Sequence, residues 1–348
     1  MGSEGGDGHR RQHRMIRRSQ MGEIAVVLTQ MGSFALIIAL GYLLARRGYL
    51  TEPVSRGITR IMVDITLPCM IIASVADADV SVVLAQLPMA FALAAILFAG
   101  MFAFAALAAL MLRVPRRDFA AYVFMGLCTN NGFIGLPIIA AIWGNRAVIV
   151  GSVYVIVIGC LMFSLGFAML SVDRDLRERR SGEDRSPDGE RPRPRIVIPW
   201  RSMLNSGLIG SLLALALLVC RASLPAFLQN SLSMVGSMTP PLSMLIVGYY
   251  LSGIPVASII REWRLIPASL IRQFAGPLLL FLAVRPFVAD PMMIGIFVVI
   301  GAMPVGSMAP AFIGRFGGDV ELMSKATVSS TTLTMAIVPA LLAAIAAI

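Results

Sequence analysis

Thr129-Asn130-Asn131-Gly132-Phe133-Ile134-Gly135-Leu136-Pro137 stands inside a run, residues 118–142, that is otherwise almost wholly apolar. Two adjacent amides, two glycines and a proline in so short a stretch oppose a continuous helix. A second such stretch, Gly301-Ala302-Met303-Pro304-Val305-Gly306-Ser307-Met308-Ala309-Pro310, stands in the run 291–314. What these interruptions mean depends on the solvent around them, and composition identifies that solvent.

Of 348 residues, 57% are hydrophobic and 14% charged, with mean hydropathy +0.82. A soluble domain carries about 25% charged residues. Residues 82–112, 147–172 and 203–220 hold no charge at all, or nearly none. About 20 apolar residues cross a hydrocarbon core roughly 30 Å thick. The solvent is therefore a lipid bilayer. Net charge is +10, but the arginines cluster between apolar runs, as anionic lipid surfaces favour. Nucleic acid is not implied.

Ten spans are expected: 24–45, 56–75, 86–112, 118–142, 147–171, 202–220, 229–252, 264–284, 291–314 and 324–346. Residues 1–21 read as a disordered N-terminal tail, and the basic stretch before the first span lacks a cleavage signal. The charged, Pro- and Arg-rich segment 173–201 reads as a cytoplasmic loop without helical periodicity. It separates repeat 1 (22–172) from repeat 2 (202–348), with five spans each. With both termini outside, the inner connections hold twenty Arg and Lys, and the outer ones only Arg146, Arg221 and Arg285. Arg10, Arg11, Arg14, Arg17 and Arg18 in the tail oppose this, and a start at Met15 or Met21 would remove some or all of them.

Five is odd, so the second repeat crosses the membrane in the opposite sense, as in inverted-repeat transporters. The breaks recur in register. Leu67-Pro68 lies in the second span and Thr239-Pro240-Pro241 in the seventh; the two quoted stretches lie in the fourth and ninth. Interrupted helices persist at membrane depth only against protein or a wet cavity. Their free N–H groups and dipoles attract anions, and amides at Asn130 and Asn131 bond carboxylates or neutral polar groups. Alone, each break is equally compatible with close packing. Paired, they point to a midplane site for a small organic anion.

In-span charges are the next filter. Asp64 is the one carboxylate well inside a span, four residues after Arg60. It reads either as the binder of a coupling H⁺ or Na⁺, or as half of an i,i+4 pair with Arg60. Arg272 lies about eight residues into the eighth span. It either snorkels to the surface or faces the cavity, toward substrate or Asp64. The hydroxyl run from Thr327 to Thr334 lines a cavity or packs with its hydroxyls bonded to the preceding turn. Cys69, Cys128, Cys160 and Cys220 lie singly in apolar runs, while His9 and His13 lie in the tail. No metal site, cofactor or nucleophile–His pair is implied, which disfavours an enzyme. A sensor would leave the breaks unexplained.

Asn131–Pro137, Leu67-Pro68 and the closing Ser330–Pro339 stretch, STTLTMAIVP, resemble the auxin efflux carrier family of plant PIN-type exporters and bacterial relatives. The resemblance covers about residues 22–348. It implies an all-α polytopic membrane protein of ten helices in two inverted five-helix repeats, with broken helices 4 and 9 crossing at Pro137 and Pro304. It implies Asn130 or Asn131 as the amide at a substrate carboxylate, with Pro68 and Pro240 shaping the cavity. Gly132, Gly135, Gly306 and Ser307 complete the candidate substrate-binding set, with Asp64 and Arg272 as charge partners. Plant members carry charges in the third span, and this third span has none. Bacterial members include carriers described as transporting malonate or other carboxylates. The expectation is a plasma (inner) membrane secondary transporter of a carboxylate, with a cation/proton antiporter using Asp64 as the alternative. Its partners are the substrate and the bilayer, and a homodimer is left open.

Overall fold

The computed structural model describes residues 29, 32–74, 80–181, 206–222, 224–253 and 262–347. The expected tail 1–21, residues 182–201 of the expected loop and the opening residues 202–205 of the sixth expected span lie outside them. Helices account for nearly all of the described chain, and the sole strand-like feature among these residues is a bridge between Thr129 and Val305.

In chain order the helices are α1 (Gly32–Arg46), α2 (52–73), α3 (Val80–Met111), α4 (Phe119–Leu127), α5 (Asn131–Trp143), α6 (145–181), α7 (Ser206–Val219), α8 (Ala226–Gly236), α9 (Thr239–Gly253), α10 (265–284), α11 (Pro291–Gly301), α12 (Ala309–Arg315) and α13 (Val320–Ala347). Among the described residues, five helical stretches are long and apolar enough to cross a membrane: Leu84–Met111, Arg146–Arg177, Ala226–Gly253, Leu265–Phe287 and Val320–Ile345. Four shorter ones are also apolar. The outer faces are as greasy as the core: Leu36, Leu110, Phe227, Met234 and Phe287 are all largely exposed. A helix that is apolar all round belongs in lipid or in a deep core.

Proline meets these helices in the same way at three places, while Pro88 and Pro339 sit inside continuous α-helix. A widened five-residue π turn directly precedes Leu67-Pro68 (Met62–Thr66), Leu136-Pro137 (Asn131–Gly135) and Gly276-Pro277 (Ile271–Ala275). Proline lacks an N–H and its ring strikes the carbonyl four residues back. A π turn opens the spacing there and absorbs the clash. Leu67-Pro68 is therefore a bulge in a continuous helix and not the break expected of it. Just before Thr239-Pro240-Pro241, a turn at Ser237–Met238 separates α8 from α9 within the helical stretch Ala226–Gly253.

Helix α6 continues through Ser181, well into the stretch expected to be loop. Leu, Arg and Glu are good helix formers, and Asp173 with Arg177 forms an i,i+4 pair at 2.6 Å.

The helices form two packed groups. In one, α2 packs on α7, α8 and α9, while α1 meets α9 at Gly41 and Gly248. A Cβ on Gly248 would sit 2.1 Å from the Ile38 carbonyl oxygen, so only glycine permits that approach. In the other, α3 packs on α4, α6 and α10, and α13 on α10, α11 and α12. Edge-on rings of Phe163, Phe167, Phe312 and Phe316 tie α6 to the α12 end. The groups touch along α6–α7 and around the α4–α5 interruption.

Candidate functional site

Helix α4 stops at Leu127 because Thr129, Asn130 and Asn131 are poor helix formers whose side chains compete for the backbone. Helix α11 stops at Gly301, with Pro304 just beyond. The two unwound segments, 128–130 and 302–308, run antiparallel across one another. Asn130 N donates to Pro304 O at 2.8 Å and Gly306 N to Cys128 O at 2.8 Å, flanking the Thr129–Val305 bridge.

Unwound backbone needs other partners, and the neighbouring helices supply them. Gln273 Nε2 donates to Ala302 O at 3.1 Å and to Thr334 Oγ1 at 2.8 Å. Arg272 Nη2 donates to Met303 O at 2.6 Å. Val305 N donates to Ser330 Oγ at 3.0 Å. Asn130 O accepts from the N–H groups of Ile134 and Gly135. Gly306 packs against Cys128, where an added Cβ would lie 3.4 Å from both its carbonyl oxygen and Sγ, an ordinary contact distance.

A cleft of about 470 Å³, mouth included, opens beside this crossing. Asn130, Phe133, Ser307, Thr327, Val328 and Thr331 form one wall. Thr59, Met62, Ser243, Val247, Tyr250 and Leu251 form the other. The first wall belongs to the group containing α3–α6 and α10–α13, and the second to α2 and α9. The cleft is thus cut between the two groups. It is mostly apolar, with an amide and several hydroxyls converging, the make-up of a small-molecule site.

The residues singled out from the sequence divide here. Asn130 and Ser307 line the cleft, and Gly306 and Pro304 build the crossing behind it. Asn131 is buried at 4% exposure, off the lining, with Oδ1 unpartnered. Gly132 and Gly135 lie in the π turn, facing Leu67 and Met303 respectively. Pro137 lies buried in α5, past the crossing; Cys128–Asn130 makes the contact with Pro304 that Pro137 was expected to make. Pro68 contacts Gly210 of α7, and Pro240 opens α9; neither lines the cleft.

Asp64 accepts from Ser206 Oγ at 2.8 Å and is exposed. It does not pair with Arg60, because the π turn at Met62–Thr66 displaces the i+4 position from the same face. Arg272 neither snorkels nor meets Asp64. It is 3% exposed against the crossing, has Nη1 unpartnered, and pairs with no carboxylate among the described residues. Thr327 and Thr331 both line the cleft and bond back to Met323 O and Thr327 O, so the two roles considered for the hydroxyl run coexist.

Sequence reasoning missed Gln273, Thr59, Ser243 and Tyr250. Gln273 was detectable, since the filter for in-span charges extends naturally to in-span amides. The others sit in ordinary helical turns and carry no local signal. No group of three His, Cys, Asp or Glu among the described residues is placed to hold a metal ion.

A family model described as membrane transport protein matches residues 26–342, nearly the whole chain. No curated protein matches it. That family comprises transporters and not enzymes, and it implies a small-molecule substrate and lipid as partners. The chain, a multi-pass membrane protein with two interrupted helices crossing beside a cleft, belongs to the membrane transport protein family, of the auxin efflux carrier type.

Proposed function

We propose that this chain is a secondary transporter that moves a small organic anion, a carboxylate, across the plasma membrane by alternating access. In this reading ten spans form two inverted five-helix repeats, with both termini outside and 173–201 in the cytoplasm. The observation that carries it is the cleft between two helix groups, floored by the crossing and lined by Asn130 and Ser307. Rocking one group against the other would open that cleft to alternate sides. The anion preference is supported by Arg272, a buried guanidinium without a carboxylate partner among the described residues, one layer behind the cleft. A fixed positive charge in a low-dielectric interior favours an anion nearby.

Asn130 is proposed as the donor to the carboxylate, with Asn131 holding the turn that aims it. Losing one hydrogen bond to a charged group costs about 1.5–3 kcal/mol, or roughly ten- to a hundredfold in affinity. Proteoliposome flux of a transported carboxylate should therefore fall at least tenfold in Asn130→Ala, with unchanged membrane insertion. Undiminished flux would sink the site.

Coupling to H⁺ or Na⁺ through Asp64 is the second reading. Against it stands the Asp64–Ser206 contact, away from the cleft lining. Asp64→Asn should leave carboxylate flux and its response to imposed pH and Na⁺ gradients unchanged; a lost gradient response would restore the antiporter.

A further inference from the structure

A second, larger hollow lies at the C-terminal end of α3 and shares no lining residue with the cleft. It encloses about 1040 Å³, mouth included, between the end of α3, the start of α4 and the extension of α6. Its walls are apolar, from Leu110, Val114, Phe119 and Leu176, and both leucines are exposed on the greasy outer face. Its rim is basic, from Arg113, Arg116 and Arg177.

The rim's charges are unequally committed. Arg177 is neutralised by Asp173 at 2.6 Å and donates to Gly317 O at 3.0 Å. Arg113 and Arg116 are exposed and make no ion pair among the described residues. The hollow therefore carries two uncompensated positive charges above an apolar wall.

Arg113 also occupies an unusual position. Helix α3 ends with Val114 N bonded to Ala109 O and Arg113 N to Leu110 O, a pattern that normally places glycine where Arg113 stands. Gly48 and Gly317 fill the equivalent position after α1 and α12, at φ +79° and +65°. Arg113 adopts φ 49° instead, and Arg221 after α7 does the same at φ 51°, a conformation costly for any residue with a Cβ.

We propose that this hollow binds an anionic phospholipid, with its phosphate between Arg113 and Arg116 and an acyl chain along Leu110 and Leu176. Apolar walls and a cationic rim at the end of a membrane-length helix match the two chemistries of such a lipid and their order along the bilayer normal. A free phosphate would use the rim but leave the apolar wall unoccupied. This site stands independently of what the carrier transports.

The test is native mass spectrometry of the full chain in detergent, titrated with phosphatidylglycerol, phosphatidylcholine or inorganic phosphate. Phosphatidylglycerol should be retained at least tenfold better than phosphatidylcholine. At roughly fivefold per arginine near a lipid surface, Arg113→Asn with Arg116→Gln should weaken retention about 30-fold. Asparagine at 113 keeps the left-handed backbone accessible. Arg116→Gln alone, outside that turn, should lose about fivefold and covers the case of a misfolded double variant. Arg46→Gln with Arg47→Gln removes the same charge elsewhere and should retain wild-type binding. Equal retention of the two lipids, equal loss in both double variants, or phosphate binding as tightly as phosphatidylglycerol would each overturn the proposal.

Discussion

Arg272 concentrates the electrostatics of this molecule in one side chain. Burying an unpaired charge is expensive, and among the described residues one carbonyl, Met303 O, accepts from it. Two consequences separate a structural role from an electrostatic one. Arg272→Lys keeps the charge while losing the planar fork, so it should retain carboxylate flux at reduced rate. Arg272→Gln keeps a polar donor of shorter reach but no charge, so its flux should fall at least tenfold while its melting temperature stays near that of Arg272→Lys. Equal flux in both variants would show that the guanidinium only braces the crossing. Sequence alone found Arg272 but not its orientation, because an arginine eight residues into a span reaches either the surface or the interior. The neighbouring Gln273 and the carbonyls freed at 302–303 decide between them. Asp64 failed the other way: its i+4 spacing from Arg60 was correct for an α-helix, but proline at 68 imposes a π turn on that stretch.

Elements meet closely where small residues allow it. The contact of α1 with α9 depends on Gly248, whose Cβ would collide with the Ile38 carbonyl. Close approach of this kind substitutes for hydrophobic driving force between helices in lipid. Gly248→Val should therefore abolish the monodisperse peak in fluorescence-detected size exclusion. Gly253→Val, on the same helix with open space around it, should leave that peak intact. Interrupted elements were legible because Asn, Gly and Pro cluster visibly in apolar runs. The identity of the crossing residues was less so. Pro137 looks like a breaker in the sequence, yet the chain unwinds earlier, at Cys128–Asn130, and the proline is absorbed by the π turn that follows.

At the scale of the whole molecule, the proposed orientation, with both termini outside, rests on the loop charges. Single cysteines at Arg116 and Arg221 in a variant lacking the native cysteines should react with an impermeant thiol reagent from opposite faces of intact cells, with 221 labelled from outside. Labelling of both from one face would contradict it. Membrane character was readable from composition. The division into two helix groups was not, because it rests on contacts between distant segments such as α2 with α7 and α8. The cleft between those groups is where the account stands or falls. Its most direct measurement is the thermal stability of purified wild type and Asn130→Ala against a panel of carboxylates at several pH values and Na⁺ concentrations. Binding at a hundredfold excess over Kd stabilises by about 2.7 kcal/mol. The account predicts at least one carboxylate that raises the wild-type melting temperature by several degrees and leaves Asn130→Ala unmoved. A carboxylate that shifts both proteins equally, or stabilisation by cations alone, would contradict it.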